Sequence, residues 1–150
     1  MYIVVRTDPG TPRFLTGSPA GHFKGRDPSV AVAALTEAWV DGAEVLYVGK
    51  ATAGCSGRRG LDVRLDEFRR FGAGEAARHW GGRYVWQLAD ATALLLAWRE
   101  TGDADSADAK ADLIAEFIAA HDARRFANRI RGRQTRRAAP NSGTDSLDSV

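Results

Sequence analysis

The chain has 150 residues, 44% of them hydrophobic and 27% charged, with a net charge of +2. These proportions suit one globular domain around one core and exclude a wholly disordered or fibrous chain. The lone cysteine, Cys55, excludes an intrachain disulfide and any zinc site built on several thiolates.

Met1 to Arg6 carries Tyr, Ile and two Val and predicts a strand, which Asp8-Pro9-Gly10 breaks. Residues 10–28, dense in proline and glycine, predict a long irregular loop. Ser29 is the expected cap of a helix to about Val40, with Val30, Ala33, Ala34, Leu35 and Trp39 on its apolar side. Glu44 to Gly49 predicts a second strand. Leu61 to Phe71 predicts a second helix, because Leu61, Leu65, Phe68 and Phe71 recur at helical spacing. Arg83 to Leu88 alternates and is aromatic, which predicts a strand. A turn at Ala89 to Thr92 then leads to another strand, Ala93 to Trp98, with Trp86 and Trp98 expected in the core.

Ser106 is the expected cap of a helix from about Ala107 to Ala120, with Leu113, Ile114 and Phe117 on one face. Residues 134–150 are polar and turn-rich and are expected to be a disordered tail. No apolar run reaches the roughly 20 residues that span a bilayer. No signal-peptide pattern is visible at the start either, so no membrane association and a cytoplasmic location are expected. Strand, helix, strand, helix, two strands, helix makes an α+β fold: a small, mostly antiparallel sheet flanked by helices.

Several residues carry chemistry. Tyr47-Val48-Gly49 ends a strand with a phenol beside open backbone, which suits proton transfer or plain packing. Arg64 flanks the apolar side of the second helix, just after a glycine-rich basic loop. There it forks onto a phosphate or stays a surface arginine. Lys50, Arg58 and Arg59 lie near Tyr47 in sequence and suit a phosphate backbone. In His79-Trp80-Gly81-Gly82-Arg83, His79 and Arg83 offer donors and Trp80 a stacking face; a structural turn is the equal alternative. His22-Phe23-Lys24-Gly25-Arg26 has the same ingredients and reads as a groove lining or a simple loop. The block Arg124, Arg125, Arg129, Arg131, Arg133, Arg136 and Arg137 holds no acid; it binds polyanions or is a solvated basic tail.

YVGK, a loop and then LDVRL resemble the second half of the GIY-YIG nuclease signature. The stretches FLTGSPAGHFKGRDPSV, FGAGEAARHWGGRYVWQLAD, LLLAW and FAN are similar to a bacterial branch of that superfamily, over residues 1 to about 130. The resemblance implies one GIY-YIG-like domain at 1–133, with an insertion at about 8–42 between neighbouring strands. It implies catalytic roles for Tyr2, Tyr47 and Arg64, and a DNA surface with Gly49 and Asn128, the asparagine of FAN; Lys50, Arg58, Arg59, His79 and Arg83, read above from the residues themselves, and Lys110 would extend that surface. It further implies Mg²⁺ or Mn²⁺ on a helix carboxylate, with the metal polarising the scissile phosphate.

Two positions depart from the family pattern. Lys110 stands where the metal-binding glutamate is expected, and Phe68 where many members have Tyr or His. A lysine in its charged form cannot ligate Mg²⁺. Asp108, Asp112 and Glu116 are the remaining acids on that helix. The resemblance therefore leaves three expectations: a metal-dependent endonuclease hydrolysing phosphodiesters, a nucleic-acid-binding module that has lost cleavage, or a protein-interaction scaffold.

Overall fold

Tyr2–Val5 forms β1, Val45–Gly49 forms β2 and Leu95–Trp98 forms β3. The computed structural model describes residues 1–52, 59–101 and 105–128. The first strand is the middle of the sheet: the order is β2-β1-β3, and both pairings are antiparallel. Tyr2 stands opposite Gly49 on one side and Trp98 on the other, and Val4 stands between Tyr47 and Leu96. Because side chains alternate along a strand, these two rungs share one face. That face receives α2 (Leu61–Gly72), whose Phe68 and Phe71 are buried. Asp62 in its first turn and Arg69 and Arg70 in its last complement the helix dipole.

The long segment between β1 and β2 holds one short helix, α1 (Val32–Ala38), and is otherwise irregular. Its helix starts later than the sequence suggested. Ala31 occupies the cap position, and Ser29 Oγ instead accepts from Ser18 N at 3.0 Å.

Residues 83–88 are not a strand. They belong to a run of 3₁₀ turns at Trp80–Gly82, Val85–Gln87 and Ala91–Ala93, the last replacing the expected hairpin turn. The reason is their partner. Gln87 is fully buried and its side chain knits the insertion: Nε2 donates to Leu15 O (2.9 Å) and Val30 O (2.7 Å), and Oε1 accepts from Val30 N (2.8 Å). Only an isolated bridge, Phe14 to Leu88, remains of the strand pattern. Phe14 then stacks on Phe126, which also meets Trp39 and Tyr84 edge-on. Those aromatic contacts bind the insertion and the end of the described chain into one core.

The last helix, α3 (Asp105–His121), begins before Ser106, which therefore lies inside it rather than capping it. Ile114 and Phe117 are buried and Leu113 half-buried, as the periodicity predicted. Trp98 is a correction. It is 63% exposed on β3, an outer strand, rather than part of the core. Trp86 packs on the core from a 3₁₀ turn. Among the described residues no helix is long and apolar enough to cross a membrane.

Candidate functional site

The strand pairing sets the site. Tyr2 and Tyr47 lie diagonally across β1 and β2 with ring centroids 6.0 Å apart. Between them runs bare backbone, because Gly49 faces the Tyr2 ring directly. Phe68 of α2 closes over Tyr2 at 6.2 Å and over His79 at 4.8 Å. His79 is completely buried, and its Nε2 is hydrogen-bonded to the Tyr2 hydroxyl at 2.5 Å. Burial pushes both phenols well above the usual tyrosine range, so each stays protonated. Burial, reinforced by the positive charge of Arg64, drops His79 to about 3, so its ring is neutral.

Arg64 reaches this cluster from the first turns of α2. Its charge acts on both tyrosine hydroxyls. Its Nη1 donates to Arg78 O at 2.7 Å and to Glu67 Oε2 at 2.9 Å. The other oxygen of Glu67 accepts from Arg59. One carboxylate thus aligns two guanidiniums side by side. Lys50, Thr52, Arg59, Gly60 and Arg64 line a cleft of about 300 Å³. Lys110 of α3 comes beside it, its Nζ 5.7 Å over the Tyr47 ring. Burial, then the charges of Lys50 and Arg64, lower Lys110 to about 8. Among the described residues, four cations share this corner with Glu67 and, at the Gly60 rim, Asp62, with the phenols and His79 walled in behind.

The structure brings most of the residues singled out from the sequence to one place. Tyr2, Tyr47, Gly49, Arg64, His79 and Lys110 meet, with Lys50 and Arg59 in front. The burial of Tyr2 (1% exposed) and Tyr47 (5%) makes them supports of the cleft rather than groups open to substrate. Arg58 lies outside the described residues. Arg83 lies away from the cleft, its guanidinium over Trp80 and Tyr84 at 5.0 and 5.1 Å. Asn128 is buried, and both of its side-chain polar atoms are engaged by the Val48 peptide. Its Oδ1 accepts from Val48 N (2.7 Å) and its Nδ2 donates to Val48 O (3.0 Å), while Ala127 N bonds Leu46 O. It clamps the free edge of β2 as a third strand would. Glu67 was missed, although its place three residues after Arg64 on a helix is the signal for such a pair.

Asn128→Ala strips both partners from a buried peptide, at about 1–3 kcal/mol for each orphaned group. Urea unfolding should register a loss of about 2–4 kcal/mol; a midpoint equal to wild type would refute the clamp.

Among the described residues no carboxylate lining this cleft is free to hold Mg²⁺ or Mn²⁺. Lys110 occupies the expected ligand position, and Glu67 is engaged by two arginines. Asp112 and Glu116 are exposed on other faces of α3. Among the described residues no group of three or more His, Cys, Asp or Glu is placed to hold a metal. No family model, curated protein or solved structure matches the chain.

Proposed function

We propose that this domain binds DNA through its phosphate backbone, with the Lys50–Arg59–Arg64 cleft as the primary contact. It is a GIY-YIG-like module in which a lysine has taken over the charge that a metal ion supplies in cleaving relatives. The observation that carries this reading is the gathering of cations: among the described residues Lys50, Arg59, Arg64 and Lys110 share this corner, with Glu67 engaged by Arg59 and Arg64 and Asp62 at the Gly60 rim. Such a cluster repels itself until an anion enters; Lys110 is lowered first by burial and then by the charges of Lys50 and Arg64. Glu67 fixes the Arg64 and Arg59 planes, so their free N–H groups are already oriented for phosphate oxygens. Tyr2, His79 and Phe68 keep the floor rigid and dry.

A cleaving version of the same site, dependent on Mg²⁺ or Mn²⁺, is the second reading. The convergence of Tyr2, Tyr47 and Arg64 favours it; the cation at position 110 and the burial of both phenols weigh against it.

The test is fluorescence anisotropy of a labelled DNA duplex from about 50 to 200 mM salt. Binding should weaken steeply with salt. Lys50→Ala and Arg59→Ala should each cost roughly fivefold to twentyfold in affinity and reduce the salt slope by about one. Arg64→Ala should cost at least as much, with Arg64→Lys recovering only part, because a lysine lacks the planar fork. Salt-independent binding, or none, sinks the proposal. Plasmid nicking in Mg²⁺ or Mn²⁺ that Arg64→Ala abolishes would favour the second reading.

A further inference from the structure

Trp80 follows His79 directly and turns away from the buried cluster toward the insertion. Two guanidiniums lie over its ring: Arg26 at 4.9 Å and Arg83 at 5.0 Å. Arg26 is exposed and Arg83 half-buried. Their charges oppose each other, and Arg83 is lowered by burial and by Arg26. Neither makes an ion pair among the described residues. The adjacent acid in sequence, Asp27, is turned onto Ser29 N at 2.8 Å. Two arginines held on one indole without a carboxylate between them form a receptor for a bridging oxyanion.

The mount is fixed at both ends. Lys24 and Gly25 adopt left-handed φ of 53° and 71°, and Phe23 and Arg26 exchange backbone hydrogen bonds at 3.2 and 3.1 Å. This is a tight two-residue hairpin, which puts Lys24 at its tip. At the base, Gly21 N bonds Phe71 O at 2.8 Å, and a Cβ on Gly21 would lie 1.8 Å from Glu75 O. The hairpin is thus seated on the C-terminal end of α2, the helix whose first turns carry Arg64.

We propose that Arg26 and Arg83, carried on Trp80, form a second phosphate subsite. It takes a further backbone phosphate of the same DNA that the Lys50–Arg59–Arg64 cleft holds, with Lys24 beside it as an electrostatic guide. The proposal rests on the DNA reading above. It extends the contact from one end of α2 to the other and gives the insertion a function.

The experiment is duplex anisotropy with Arg26→Ala, Arg83→Ala and the double variant, folding being checked by circular dichroism. Each single change should weaken binding roughly fivefold and lower the salt slope by about one. Because the two arginines share one phosphate, the double variant should be no more than about twofold worse than the weaker single. Arg83→Lys should keep the slope but not the full affinity. Single variants within about twofold of a binding wild type overturn the subsite and leave the primary cleft standing.

If wild type fails to bind DNA, the DNA reading falls. The subsite is then judged on inorganic phosphate alone. A shift of the Trp80 indole N–H resonance, assigned by Trp80→Phe and abolished in Arg83→Ala, supports it; no shift overturns it.

Discussion

Gly49→Ala should be close to unfoldable. A methyl group at this position would sit 2.1 Å from one Tyr2 ring carbon, 2.2 Å from another and 2.5 Å from the hydroxyl. The ring has no second place to go. Tyr2 is 1% exposed, Phe68, Tyr47 and His79 surround it, and its hydroxyl is bonded to His79. Backbone relief would have to open the β1–β2 pairing at the rung that joins Gly49 to Tyr2. Overpacking in a close-packed core typically costs 1–3 kcal/mol, and a collision this deep without an exit should cost about 3 kcal/mol or more. Against the roughly 5–15 kcal/mol that stabilises an ordinary domain, that is a large share. Chemical denaturation measures it directly. The diagnostic is a double variant: shrinking the ring with Tyr2→Leu should make Gly49→Ala much less harmful. If the two losses simply add, the contact is not the cause.

Stability should also fall steeply in acid, and His79 should be responsible. Unfolded, its imidazole titrates near the ordinary 6.5; folded, burial and then Arg64 hold it at about 3. The folded pKa is depressed, so the contribution is fully present above about 6.5 and is lost as pH falls toward 3. Across that window the unfolded chain holds one proton more than the folded one, so stability should drop by about 1.4 kcal/mol per pH unit from this residue. Over the window the loss is on the order of 5 kcal/mol. Urea unfolding at about pH 7 and about pH 4 reads it out, with His79→Gln as the comparison. Glutamine keeps a polar group near Tyr2 but cannot take up the proton, so its profile should be much flatter there. Equal acid sensitivity in both proteins would remove His79 as the cause.

Where the signal was local, the sequence could be read. Leu61, Leu65, Phe68 and Phe71 recur at helical spacing, and α2 follows almost to the residue. A short β-branched and aromatic run at Val45–Gly49 between turn residues is β2. Placing Tyr2 beside Tyr47 needed more than periodicity; the family resemblance supplied the pairing, and the sheet order agrees with it. The failures share a cause. Arg83 to Leu88 alternates as a strand does, yet its hydrogen-bonding partner is a distant irregular loop, which no local pattern can reveal. Asn128 looks like a ligand-binding amide until β2 is seen to need an edge cap. Trp98 looks like core, yet every residue of β3 is exposed while the other edge strand, β2, is covered.

The central position of β1 also governs when this protein can fold during synthesis. The first strand to leave the ribosome is the one flanked by both others, and its neighbours are encoded some forty and ninety residues downstream. At about 5–20 residues per second, Tyr2 waits on the order of 5–20 s before Trp98 exists to pair with it. Nascent chains therefore spend about the first half of that interval with β1 lacking both partners and the rest lacking β3, a stage at which chaperone capture competes with collapse.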